Sequence, residues 1–168
     1  MSFHRKEAED VIMNDPEVSY EYARDVLKGR WLEGEKNILE LEDPDIIINY
    51  AREIIKGRWT EGEKIILEIG DPFRILEYAQ RVIKGRWTEG EKIILETGDP
   101  SAGISPPLYY SFYILKKRWP DMEPYLYKYR NTHDGNKNME QYLKYFHLTE
   151  DELKKNFINK SRSLSPKR

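Results

Sequence analysis

A period of 28 residues governs this chain. Asp15-Pro16, Asp43-Pro44, Asp71-Pro72 and Asp99-Pro100 recur at that interval, and Lys-Gly-Arg-Trp recurs in step at 28–31, 56–59 and 84–87. Residues 56–68 and 84–96 are the same string, KGRWTEGEKIILE. A period of about 20 to 50 residues marks a supersecondary unit that cannot bury its apolar face alone and does so by stacking on its neighbours. With 168 residues, the chain has room for one domain or one short repeat array.

Each unit reads as two helices. Ile47, Tyr50, Ala51, Ile54 and Ile55 follow the i, i+3, i+4, i+7, i+8 pattern of an amphipathic helix, and Ile75, Tyr78, Ala79, Val82 and Ile83 repeat it. Asp supplies the N-cap and Pro the first helical position, where a missing N–H costs nothing. Gly29, Gly57 and Gly85 are expected to be the left-handed residues that stop these helices. Thr60-Glu61-Gly62-Glu63 and Thr88-Glu89-Gly90-Glu91 fit a capping box, in which threonine and the second glutamate bond each other's backbone amides. A second helix then runs to about Ile69 or Thr97, closed by Gly70 or Gly98. Leu32 in the first copy and Pro120 in the last replace the threonine, so those second helices should begin less cleanly. Gly34, Gly62 and Gly90 lie inside the second helix, where glycine costs about 1 kcal/mol against alanine. Close approach of helix to helix explains them.

The array frays at both ends. Lys117-Arg118-Trp119 follows the previous Trp by 32 residues, Lys117 stands where the other copies have glycine, and Ser105-Pro106-Pro107 enlarges the opening segment. Glu7-Ala8-Glu9 and Val11-Ile12-Met13 look like the second half of a repeat. Beyond a polar loop over Asn131–Asn136, one helix carries Met139, Tyr142, Leu143, Tyr145 and Phe146, and another opens on Thr149 and Glu152. The expected fold is all-α: a short α-solenoid of helix-turn-helix repeats with a C-terminal helical cap. Its parts are a half-repeat cap over 1–14, three regular hairpins over 15–98, a degenerate fourth over 99–130, capping helices over 131–160 and a disordered basic tail over 161–168.

The unit Tyr-Ala-x-x-Val/Ile-Ile/Leu-Lys-Gly-Arg-Trp-x-Glu-Gly-Glu resembles short tandem repeats in uncharacterised proteins of bacteriophages and other large DNA viruses. Those commonly read Pro-Glu-Ala-Glu after the Trp, and Trp119-Pro120 and Glu7-Ala8-Glu9 fit that version better. The likeness covers about residues 5–127. It implies a viral origin and a helical-repeat fold, and carries no activity, cofactor or catalytic residue.

Composition removes several function classes. There is no cysteine and there are three histidines, His4, His133 and His147, none paired at metal-ligating helical spacing. No Gly-rich phosphate loop or nucleophile elbow occurs. Glu33/Glu35, Glu61/Glu63 and Glu89/Glu91 imitate acid–base pairs, but helix capping and the helix dipole account for them. The expectation is therefore a non-enzymatic protein with no cofactor and no metal. Charged residues make up 35% of the chain, leaving no stretch apolar enough to span a bilayer, and the charged N-terminus leads to a cytoplasmic expectation, host cytoplasm if the chain is viral.

Three partner classes remain. Trp31, Trp59, Trp87 and Trp119 beside basic pairs could form a stacking ladder for single-stranded nucleic acid. The competing reading wedges each Trp between helices, with its arginine over the ring or paired to Glu33, Glu61 or Glu89. The first repeat is acidic and the stretch after Gly98 basic, while net charge is −2. Nucleic-acid contact is therefore better placed on Lys116, Lys117, Arg118, Lys154 and Lys155. A protein partner is the leading expectation, a host factor if the chain is viral, with Tyr109, Tyr110, Tyr113, Arg118 and Trp119 of the enlarged fourth repeat as its candidate surface. The acidic-to-basic gradient also permits a self-assembling structural component.

Overall fold

A computed structural model of the chain describes residues 15–99 and 105–163. The half-repeat cap expected over 1–14 and most of the enlarged opening of repeat four lie outside these residues. Among the described residues every regular element is a helix, and strands are absent. Two compact units divide the chain, Met1–Lys84 and Gly85–Arg168. In the former, α1 (Pro16–Glu21), α3 (Pro44–Tyr50) and α5 (Pro72–Tyr78) are first helices, and α2 (Leu32–Leu41) and α4 (Thr60–Ile69) are second helices. The latter holds α6 (Thr88–Thr97), α7 (Pro106–Tyr109), α8 (Glu123–Lys128), α9 (His133–Phe146) and α10 (Glu150–Ser163).

The first helices start as their sequence dictates. Asp43 Oδ1 accepts from the Asp45 N–H at 2.8 Å, Pro44 takes the first position, and Asp15 and Asp71 act alike. They end otherwise than expected. Each widens into a π turn, over Tyr22–Leu27, Ala51–Ile55, Ala79–Ile83 and Tyr110–Leu115. In the second of these the Ala51 carbonyl accepts from both the Lys56 N–H and the Gly57 N–H. Ala23 and Ser111 do the same. Because Gly57 supplies the outer bond of the turn, the chain must reverse one residue earlier. The left-handed residues are therefore Lys28, Lys56, Lys84 and Lys116 (φ 53°, 59°, 57° and 51°), and not the glycines. A side chain at Gly57 would meet nothing within 4 Å, which is why Lys117 can occupy the matching place in repeat four.

The expected capping box is also corrected. Trp59 and Trp87 hold the N-cap position, Thr60 and Thr88 are already helical, and Glu63 and Glu91 turn away into other bonds. With Trp31 as the cap, Leu32 is no defect, and α2 starts in the same register as α4 and α6. Pro120 does delay its helix, since α8 starts only at Glu123. Gly62 is needed for close approach: a Cβ there would lie 2.6 Å from Ile47 Cγ2 and 2.8 Å from Trp59 Cε3. Thr149 and Glu152 form the expected cap of α10, with the Thr149 N–H donating to Glu152 Oε2 at 2.8 Å. That helix runs through Ser163, so the first three residues of the expected disordered tail are helical. The last five lie outside the described residues.

Candidate binding surfaces

All four tryptophans are interior, none more than 7% exposed. Trp59 sits against its own hairpin, ring to ring with Tyr50 at 5.0 Å. Each copy of the repeat closes on one polar joint. Arg58 grips Glu63 through two parallel bonds, Nε to Oε1 at 2.8 Å and Nη2 to Oε2 at 2.7 Å. From the next first helix, the Tyr78 hydroxyl donates to Glu63 Oε1 at 3.1 Å and accepts from the Trp59 backbone N–H at 2.9 Å. The same four positions recur as Arg30, Glu35, Tyr50 and Trp31, and as Arg86, Glu91, Tyr110 and Trp87. The expected arginine partners, Glu33, Glu61 and Glu89, are corrected to the second glutamate of each pair. That carboxylate lies five residues after the arginine on the inward side, whereas the first faces solvent.

A fourth joint forms where the repeat pattern had ended. Arg118 grips Glu123, and Tyr142 of α9 donates to Glu123 Oε1 at 3.1 Å and accepts from the Trp119 N–H at 2.8 Å. α9 is thus the first helix of a further hairpin, not merely a cap. The signal lay in the interval from Trp to Tyr, 23 residues for Trp87 to Tyr110 and again for Trp119 to Tyr142. Burial chiefly pushes the hydroxyls of Tyr50, Tyr78, Tyr110 and Tyr142 above the usual tyrosine range, with their glutamates adding to it.

These joints decide which candidate residues can meet a partner. Tyr110 and Trp119 are core, at 0% and 2% exposure, and Arg118 is committed to Glu123 with Glu152 at 3.8 Å. Tyr113 stands out at 57% exposure, and half-buried Tyr109 lies against it at 4.6 Å. One element that lies apart in sequence, α9, widens this patch. Phe112 sits beneath, edge-on to Tyr113 at 6.4 Å, and Tyr145 of α9 covers it at 4.6 Å while remaining 55% exposed. Phe146 adjoins Tyr145 at 4.8 Å. The sequence pattern puts Tyr145 and Phe146 on a capping helix and leaves Phe112 unassigned. Only the recognition of α9 as a repeat helix brings them beside Tyr113. Lys116, Lys117, Lys154 and Lys155 are all exposed.

Among the described residues no group of three or more His, Asp or Glu side chains is placed to hold a metal ion, and no helix is long and apolar enough to cross a membrane. The class that fold and joints define is an all-α helical-repeat protein. No protein-family model, curated protein or solved structure matches the chain.

Proposed function

We propose that this chain is a non-enzymatic repeat scaffold that binds another protein through the aromatic patch of Tyr113 and Tyr145. The observation that carries the reading is two tyrosines more than half exposed over a shared Phe112, while the repeated tryptophans and the joint tyrosines are buried. Tyrosine supplies contact area at low entropic cost, and clustered aromatics are enriched at interface centres. Lys116 and Lys144 follow or precede these tyrosines within one turn, which favours a partner whose apolar side chains are flanked by acidic ones. On this reading the chain acts in a cytoplasm, that of the host if the repeats are viral, and its place is that of an adaptor.

A double Tyr113→Ser/Tyr145→Ser variant tests the reading, because both side chains are more than half exposed and the fold should persist. The expected result is that the parent chain, used as bait in nuclease-treated extract, retains a protein that the variant releases at unchanged melting temperature. Equal retention by both would remove the patch from the interface. A second reading, nucleic-acid binding, draws on the exposed Lys116, Lys117, Lys154 and Lys155. It would be favoured if the parent's bound material vanished with nuclease.

A further inference from the structure

Away from that patch, in the unit Met1–Lys84, the widened ends of α3 and α5 enclose an open groove of about 400 Å³. Arg52, Lys56, Arg81 and Lys84 line it, with Glu53 as its one carboxylate and Val82 as its one apolar side chain. Four cations against one anion is a local excess in a unit that is otherwise acidic, since residues 1–84 carry 19 acidic and 13 basic side chains. The groove's carboxylate is already engaged. Glu53 accepts from the Tyr20 hydroxyl and from Arg52, and these bonds hold it below the usual carboxylate range. Arg81 leans on Glu77 at 2.9 Å but is half exposed. Lys56 and Lys84 are exposed, and their ammonium groups make no ion pair or hydrogen bond with any described residue.

Backbone geometry places these two lysines. Each is the left-handed residue that ends its π turn, at φ 59° and 57°, a conformation that ordinarily selects glycine or asparagine. A glycine stands next to each, at Gly57 and Gly85, outside the left-handed region and with no neighbour near its missing Cβ. The chain therefore keeps a long cation at the strained position and the unrestricted residue beside it.

We propose that this groove binds a carboxylate-rich, extended peptide segment of a partner protein, with Lys56 and Lys84 as its two principal contacts and Arg52 and Arg81 flanking them. A nucleic-acid strand fits less well on two grounds. No aromatic side chain lines the groove to stack a base, and a continuous phosphate backbone would extend beyond the groove over a unit that carries 19 acidic against 13 basic side chains. A short acidic peptide meets only the basic stretch. The inference is independent of the Tyr113/Tyr145 patch, which lies in the other unit and whose failure would leave it untouched.

Fluorescence anisotropy with a labelled oligoglutamate peptide, using the full chain at low ionic strength, tests it. Lys56→Gln/Lys84→Gln should weaken binding at least about tenfold, whereas Lys56→Arg/Lys84→Arg, which keeps both charges, should bind like the parent. Lys36→Gln/Lys64→Gln removes the same net charge from exposed positions on the second helices and should leave binding within about twofold. Circular dichroism melts of each variant guard against loss of fold, and the arginine pair keeps the test decisive if the glutamine pair unfolds. The proposal is overturned by absence of peptide binding to the parent, by equal weakening in the Lys36/Lys64 control, or by a single-stranded oligonucleotide of matched charge binding more tightly than the peptide with the same lysine dependence.

Discussion

The joint at Glu63 and the joint at Glu123 use the same four side-chain positions in different surroundings. Glu63 retains 9% of its side-chain surface and its arginine is half exposed, so water shares in solvating the pair. Glu123 retains none, and Arg118 is 34% exposed with Glu152 at 3.8 Å. Asn156 of α10 also donates to Glu123, a bond with no counterpart at the internal joint. A second helix of the following hairpin thus covers the C-terminal joint, and the carboxylate there depends wholly on protein donors. The comparison teaches that one sequence motif can serve as a solvent-assisted clasp in mid-array and as a desolvated anchor near its end.

Deleting the cation should expose the difference. Arg118→Met leaves a carboxylate buried with only neutral donors, and breaking such a pair costs about 3 to 5 kcal/mol. Arg58→Met removes a half-exposed partner, where screening and local hydration limit the loss to about 1 to 2 kcal/mol. Urea unfolding of the two variants against the parent measures both. If Arg58→Met proved as damaging as Arg118→Met, burial would not be what separates the joints.

Much of this was legible beforehand. Asp-Pro starts, the extents of α4 and α6, and the inward position of Trp all follow from a strict period, because local propensity and stacking demand the same thing at each copy. What escaped was chemistry that only the next repeat supplies. Glu63 looks like half of a capping box until Tyr78, fifteen residues on, reaches it, and Gly57 looks like a helix stop until the turn at Ala51 proves one residue wider than an α-helix permits. The binding surface was half visible. Tyr113 stood out by composition, but Tyr145 joins it only through the pairing of Tyr142 with Trp119 across 23 residues.

Removing the shared hydroxyl should affect both joints alike, and so sharpen the comparison from the other side. Tyr78→Phe and Tyr142→Phe each strand a buried Trp backbone N–H, at a cost of about 1 to 3 kcal/mol near neutral pH. The two tyrosines are pushed above their ordinary range in the folded state, so the unfolded chain loses their protons first as pH rises. Their stabilising contribution is full below the unfolded value of about 10 and falls as pH climbs from there through the raised one. The parent should therefore lose more stability between pH 8 and pH 11 than either variant does, by about 1 kcal/mol per tyrosine replaced. Equal losses in parent and variants would mean that these hydroxyls ionise as readily folded as unfolded.

The smallest effect concerns the helix ends. Lys56 is left-handed after a widened turn on Ala51, whereas His147 at the end of α9 is left-handed (φ 55°) after an ordinary one, its N–H bonding the Leu143 carbonyl. Small residues, Ala or Ser, follow the joint tyrosine wherever the turn is wide, and Leu143 follows Tyr142 where it is not. In either turn a side chain at positive φ crowds its own carbonyl, and glycine relieves that at the cost of greater freedom in the unfolded chain. Lys56→Gly and His147→Gly should each stabilise by about 0.5 to 1 kcal/mol, and Gly57→Ala, where no strain exists to relieve, by about 0.4 to 1 kcal/mol through the unfolded state. Thermal melts of the three single variants check this. A destabilised Gly57→Ala would place the left-handed residue back on the glycine and undo the assignment of the wide turn.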